Sequence, residues 1–151
     1  MQVSYSAESV LDSTISRNDL RVLLVYPNTR DVAMANLGFQ QVYSLLNKIE
    51  GVVCDRFAMP VGWKPETQSL NREELRSMDM QMHPLDFDVI AFSISFEPDY
   101  LNTVLALKYF GIPLDREERD ASFPMITAGG SAIFINPEPL AECMDVLFIG
   151  E

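Results

Sequence analysis

The chain has 151 residues, of which 48% are hydrophobic and 22% are charged, proportions typical of a single globular domain. Asp and Glu number 22 against 11 Lys and Arg, which gives a formal net charge of −11 at pH 7. This charge argues against binding to nucleic-acid phosphates or to an anionic membrane surface. A polar N-terminus and the lack of a long apolar run predict a cytoplasmic protein without a signal peptide or a membrane span.

Apolar runs alternate with segments of helical periodicity along the chain. Asn36 is a candidate N-cap for the helix 37–51, and Gly51 a candidate stop. One face of this helix is predicted to comprise Val42, Leu45, Leu46 and Ile49. Asp99 is a candidate N-cap for the helix 99–111, and Gly111 is predicted to end it. The predicted strands are 21–27, 52–58, 87–95, 124–130 and 145–151; the predicted helices are 37–51, 70–78 and 99–111; and 28–36 and 114–123 are predicted as connecting segments.

Repeated strand–helix–strand units with right-handed crossovers predict an α/β fold, a doubly wound parallel sheet. Five strands favour the flavodoxin-like, Rossmann-like order 2-1-3-4-5, with a switch point between the first and third strands. Residues 20–151 form the predicted domain. Residues 1–19 have weak periodicity and are interpreted as an N-terminal extension, either a frayed helix or a tail.

Polar and glycine residues follow the predicted strand ends, where ligands of open parallel sheets bind. Pro27, Ser93 and Gly129 are expected at one edge of the sheet. Each residue type has a structural alternative to ligand binding. Glycines allow a ligand to approach the backbone closely or form a plain turn, and serines can bind a ligand or the amides of neighbouring loops. A glutamate at a helix start can simply cap the helix. The candidate ligand-binding residues are Asn28, Thr29, Arg30, Asn36, Ser93, Ser95, Glu97, Gly129, Gly130, Ser131, Asn136 and Glu138, with Asp31 as a further loop residue.

Two cysteines and one histidine limit the metal chemistry of the chain. Cys54 and Cys143 are far apart in sequence and are predicted to be small buried hydrophobic residues in a reducing compartment. His83 precedes the third strand and is expected on the surface at the opposite end of the sheet. A zinc or iron–sulfur site made by this chain alone is therefore not expected.

Four segments resemble, in order and spacing, the N-terminal domain of a radical S-adenosylmethionine (SAM) enzyme family. They are YPNTRDVAMANLGFQQVYSLLN, FDVIAFSISFEPDYLNTVLALKYFGIPL, ITAGG and FINPEPLAECMDVLFIGE, and together they span about residues 20 to 151. That domain is similar to cobalamin-binding domains. The resemblance implies a radical SAM catalytic domain in the same polypeptide as the partner, with a [4Fe–4S] cluster and SAM bound there.

Two departures from the related motifs limit what the resemblance implies for this chain. The Asp-x-His-x-x-Gly motif that supplies a histidine ligand to cobalt is missing after the first strand, and so is the Cys-x-x-x-Cys-x-x-Cys cluster motif. The chain is therefore interpreted as an isolated N-terminal domain that is not catalytic by itself. The rim formed by the candidate residues beyond the strand ends is expected to dock the catalytic barrel. The other interpretation is that this rim binds cobalamin without a histidine ligand.

Two further classes of protein are compatible with the predicted fold. A stand-alone flavodoxin-like module for small molecules or nucleotides needs a phosphate-binding loop after the first strand, where only Thr29 is suitable. A receiver-like signalling domain needs an aspartate at the end of the third strand, where Ser93 and Ser95 lie instead. The radical SAM accessory domain is the preferred interpretation.

Overall fold

The computed structural model describes residues 16–60 and 75–150. Within these ranges the strands are β1 (Leu20–Thr29), β2 (Val52–Met59), β3 (Val89–Ser93), β4 (Met125–Gly129) and β5 (Val146–Leu147). The helices are α1 (Arg30–Ala35), α2 (Leu37–Leu46), α3 (Asp99–Phe110) and α4 (Ser131–Ile135). Short 3₁₀ turns lie at Pro84–Asp86, Arg116–Glu118 and Glu138–Leu140.

The strands form one parallel sheet in the order β2-β1-β3-β4-β5, which confirms the predicted α/β fold. Ser93 pairs with Gly129 where β3 and β4 end, and Val25 of β1 pairs with Phe92. Pro27 follows shortly after Val25, so the three predicted strand-end residues meet at one edge of the sheet. We call this the carboxyl edge and the opposite one the amino edge.

Side chains of β1 alternate between two cores, because successive residues of a strand point to opposite faces of the sheet. The core on the first face comprises Val22, Leu24, Tyr26, Ala33, Phe39 and Cys54, and it lies under α1 and α2. The larger core on the second face includes Leu23, Val25, Leu107, Phe110 and Ile133, and it lies under α3 and α4. Helices therefore cover both faces, as a doubly wound sheet requires.

Two predicted connections differ in the structure. Residues 28–36 were predicted as a loop but contain α1, whose Ala33 is buried against β1; six residues are too few for periodicity to reveal such a helix. Of the predicted helix 70–78, residues 70–74 lie outside the described part of the chain, and 75–77 are not helical. Ser77 N donates to Met82 O and Met78 N to Arg56 O, so this segment bonds to the edge of β2 instead.

The predicted caps and faces of the helices are partly confirmed. Asn36 caps α2 and Gly111 ends α3 with φ 79°. The prediction for Asp99 was wrong, because Pro98 is the N-cap and Asp99 begins α3 without capping it. The apolar face predicted for α2 is only partly buried: Leu46 packs inward with Phe39 and Tyr43, whereas Val42, Leu45 and Ile49 are exposed.

The two cysteines lie on opposite sides of the sheet. Cys54 is buried in edge strand β2, as predicted, and Cys143 is half-buried shortly before β5. Four strand spacings of about 4.8 Å place these strands roughly 19 Å apart. Within the described residues, no His, Cys, Asp or Glu side chains are grouped as a metal site would need. No helix in the same ranges has the length and apolarity needed to cross a bilayer.

Candidate functional site at the carboxyl edge

Asn36 connects the ends of β1 and β3, where the strand order reverses. Its Oδ1 accepts a hydrogen bond from Phe39 N at 2.9 Å, which caps α2. Its Nδ2 donates to Ser95 Oγ at 3.2 Å and to Tyr26 Oη at 3.3 Å. One amide side chain thus holds the helix start, a buried tyrosine and the β3 exit together. Both Asn36 and Ser95 were predicted as ligand-binding residues, and both bond within the domain.

Asn28 and Asp99 form a second link across the same switch point. Asn28 Nδ2 donates to Asp99 Oδ1 at 2.9 Å, and its own Oδ1 accepts from Thr29 N at 2.8 Å. Asn102 Nδ2 donates to the same Asp99 oxygen at 3.2 Å. Asp99 is only 1% exposed, and its Oδ2 has no hydrogen-bond partner among the described residues. Burial raises the pKa of Asp99, and the bonds from Asn28 and Asn102 counteract that rise.

Close contacts with neighbouring backbone and side-chain atoms explain the two glycines at the end of β4. Gly130 has φ 114°, and a Cβ built on it would lie 2.4 Å from the carbonyl oxygen of Ile94. A Cβ on Gly129 would lie 3.3 Å from Phe148 Cβ. The space beside these glycines is therefore filled by the residues that directly follow β3 and β5, which corresponds to the tight-turn interpretation.

The residues after Gly130 are also bonded to the rest of the domain. Ser131 Oγ donates to Ser95 O at 3.0 Å. Tyr100 Oη lies 2.8 Å from Ala132 O and 2.7 Å from Asn136 O, so α3 holds both ends of α4. No local pattern indicates this role of Tyr100, because its partners lie more than thirty residues away in sequence.

The remaining predicted residues are spread around the edge. Glu138 is the first residue of a 3₁₀ turn whose N-cap is Pro137, and among the described residues no side chain makes a capping bond there. Glu97 is exposed. Thr29 precedes α1, and its side chain makes no capping bond in the described part of the chain. Arg30 stands apart from the others: it lines an open cleft of about 280 Å³ beside β2, together with Arg76.

Large apolar side chains line the carboxyl edge in full view of solvent, which sequence patterns did not predict. They follow β1, β3, β4 and β5, four neighbouring strands, and Leu37 and Ile135 are 85% and 74% exposed. Monomeric proteins seldom expose contiguous apolar patches of this kind unless the patch binds something. We call this set the apolar rim: Val32, Met34, Leu37, Phe96, Phe134, Ile135, Phe148 and Ile149.

The edge fits cobalamin poorly. The hydroxyl or amide groups of Asn28, Asn36, Ser95 and Ser131 bond to the domain's own atoms. The approach at Gly130 is filled by the Ile94 carbonyl, and His83 caps a 3₁₀ turn before β3, at the amino edge. Binding a corrin here would first require several of these bonds to break.

Comparison with known proteins places the chain in a family. Residues 38–151, well over half of the chain, match the family described as "Radical SAM proteins, N-terminal". No curated protein and no solved structure matches the chain. The matched region contains α2 from its second residue onward, every later strand and most of the apolar rim. The chain therefore belongs to the family of N-terminal domains of radical SAM proteins.

Proposed function

We propose that this domain docks the catalytic domain of its radical SAM parent protein through the apolar rim, and that this packing is its principal role. The observation that carries the proposal is the exposure of eight large apolar side chains along an edge where Asn36, Ser95 and Ser131 already bond within the domain. Apolar surface of this kind is stabilised when a partner removes it from water. A catalytic domain in the same polypeptide is the partner that family membership supports.

The chemistry of the parent enzyme belongs to the catalytic domain in this proposal. The [4Fe–4S] cluster and SAM bind there, and the domain described here supplies packing surface. A cluster takes three or four cysteine ligands, whereas this chain has two, held on opposite sides of the sheet. We expect anaerobic reconstitution of the 151-residue chain to leave it without a stoichiometric cluster, as measured by iron content and visible absorbance.

Side-chain oxidation by hydroxyl radicals tests the docking proposal. Phe96 and Phe134 are 57% and 54% exposed, so they react in the isolated chain. In the parent protein we expect their labelling to fall several-fold. Leu85, 40% exposed and near the amino edge, is the matched control and should react equally in both proteins. Equal labelling of the two phenylalanines in the isolated chain and the parent would contradict docking at the rim.

Cobalamin remains the other interpretation of this edge, and a titration separates the two. Calorimetry of hydroxocobalamin with the isolated chain should give weak binding at most, because the polar groups that would hold the corrin amides are already bonded. Tight binding that is lost in Ser95→Ala would favour the cofactor. The same loss in His83→Ala would indicate that the amino edge binds it instead.

A further inference from the structure

Charged side chains are distributed unevenly along the carboxyl edge. In the segments that follow β3 and β4, the exposed charged residues are Glu97 and Glu138, both of them acidic. The arginines Arg30 and Arg76 lie on the other side of β1, in the cleft beside β2. The part of the apolar rim that follows β3 and β4 is therefore negatively charged, whereas cations lie toward β2.

Glu97 lies among the apolar side chains of the rim. It directly follows Phe96, and its carbonyl oxygen accepts from Tyr100 N at 3.0 Å, so it belongs to the turn that begins α3. Tyr100 Oη donates to Ala132 O and Asn136 O, which places this turn against α4. Burial raises the pKa of Tyr100, and the nearby charge of Glu97 raises it further. Glu97 is thus next to Phe96 and close to α4.

Glu138 lies near the same helix, and both carboxylates lack a cation. Glu138 follows Ile135, the last residue of α4, by three residues, and both are exposed. Within residues 16–60 and 75–150, neither Glu97 nor Glu138 forms an ion pair. Asp99, two residues after Glu97, adds a buried Oδ2 oxygen that no described donor reaches. This part of the rim therefore has more acceptors than its own donors satisfy.

A partner that covers the rim removes water from these two carboxylates as well as from the apolar side chains. An ionised carboxylate that loses its water without gaining a cation strongly opposes association. Lys or Arg side chains on the partner offset this loss, and the guanidinium group of Arg can pair with a carboxylate through two parallel hydrogen bonds. A purely apolar partner surface would therefore fit this part of the rim poorly.

We propose that the catalytic-domain surface that covers the apolar rim is basic opposite β3 and β4, where its Lys or Arg side chains pair with Glu97 and Glu138. This inference rests on the docking role proposed above and adds the chemistry of the partner surface. The net charge of −11 favours the approach of a basic surface. Arg30, toward β2, repels the same cations, so the charges also select one orientation of the docked domains.

Hydroxyl-radical labelling of Phe134 in the parent protein tests the charge pairing. In the double variant Glu97→Lys, Glu138→Lys, we expect Phe134 to be labelled several-fold faster than in the wild-type parent, because like charges then face each other. Labelling of the wild type should rise between about 0.05 M and about 0.5 M sodium chloride, since salt screens charge pairs at a protein surface. In Glu97→Gln, Glu138→Gln, labelling should lie between these extremes and depend little on salt.

A second pair of glutamates provides the matched control. Glu117 and Glu118 are exposed in the segment before β4, away from the carboxyl edge. Glu117→Lys, Glu118→Lys changes the net charge by the same amount as the rim variant, and Phe134 should be labelled as in the wild type. Urea denaturation of the corresponding 151-residue chains should show that every variant folds, and the glutamine pair tests the proposal even if the lysine pair lowers stability.

The possible results separate this proposal from the docking role on which it rests. If Phe134 is protected in the wild-type parent and equally protected in the rim variants at every salt concentration, docking stands but the partner surface is not basic there. If the rim and control variants lose protection equally, net charge rather than local pairing is responsible, and the proposal is again wrong. If Phe134 is labelled equally in the wild-type parent and in the isolated chain, the docking role itself fails.

Discussion

The two edges of the sheet are finished in different ways. At the amino edge, Asp88 and Asp145 precede β3 and β5 and accept hydrogen bonds from amides near the start of neighbouring strands, Arg21 N of β1 at 2.8 Å and Ile126 N of β4 at 2.7 Å. Arginines 21 and 119 pair with the same two carboxylates. At the carboxyl edge Asn36 and Ser95 are also paired, but large apolar side chains are exposed beyond them. Ion pairs and hydrogen bonds finish the amino edge, whereas the carboxyl edge leaves a set of large apolar side chains exposed.

The substitution with the largest expected effect on stability is at Gly130, on the carboxyl edge. In Gly130→Ala the new Cβ would meet the Ile94 carbonyl at 2.4 Å, and the backbone at φ 114° disfavours any side chain. We expect the free energy of unfolding to fall by roughly 3 kcal/mol or more, measured by urea denaturation. Gly51→Ala is the control: its φ is 77°, but no described atom lies within 4 Å, so about 1 kcal/mol should be lost. Equal losses would contradict the role of the Ile94 contact.

The substitution with the next largest expected effect on stability is at Arg119, on the amino edge. Its side chain is 3% exposed, pairs with Asp145 at 2.9 Å and donates to the carbonyl oxygens of Pro113 and Cys143. Arg119→Met removes these bonds and leaves Asp145 without its partner, so we expect a loss of about 2–3 kcal/mol in unfolding free energy. Arg116→Met, at an exposed position, should change it by less than about 0.5 kcal/mol. A small effect of Arg119→Met would show that the connector to β5 is held by packing alone.

A substitution with a smaller expected effect on stability distinguishes the role of the hydrogen bonds at the carboxyl edge from that of its apolar surface. Asn36→Ala removes the α2 cap and the bonds to Ser95 and Tyr26, and we expect a loss of about 1–2 kcal/mol in urea denaturation. Gln41→Ala, on the exposed side of α2, should be close to neutral. If docking depends on the apolar rim, Asn36→Ala should weaken the domain without abolishing the protection of Phe96 in the parent protein.

Local patterns predicted the elements better than the contacts between them. The apolar strands, the Asn36 cap and the Gly111 helix end are set by neighbouring residues, and they were predicted. Helix α2 carries two apolar stripes of the same period, and periodicity does not tell which one faces the sheet.

The candidate site was predicted in place but not in detail, because its interactions are long-range. Asn28 and Asp99 are 71 residues apart in sequence, and Asn36 and Ser95 are 59 apart. Gly130 is needed because the carbonyl group of Ile94, just after β3, lies where a Cβ would be. Only folding brings the two residues together. Strand order alone placed these residues at one edge; which groups bond to each other, and which apolar side chains remain outside, depends on tertiary packing.

The smallest expected effect concerns how each edge responds to pH. Burial raises the pKa of Asp99 in the folded domain, so the folded state binds this proton more tightly than the unfolded chain does. The contribution of Asp99 to stability is therefore most favourable at acid pH and is lost as pH rises through the folded pKa. Asp99→Asn keeps the acceptor for Asn28 without the charge. We expect its unfolding free energy, from urea denaturation between about pH 4 and 7, to fall less with rising pH than that of the wild type.

Asp120, in the connector before β4, provides a control of opposite sign. Hydrogen bonds from the Ser122 hydroxyl and amide lower the pKa of its carboxyl group, so its contribution is present at neutral pH and is lost as the pH falls through the folded pKa. Asp120→Asn should therefore reduce the loss of unfolding free energy as the pH falls. Asp99→Asn should instead reduce the loss of unfolding free energy as the pH rises. If both variants change the profile in the same direction, the Asp99 carboxyl is not held in an apolar environment, and the switch point is open to water.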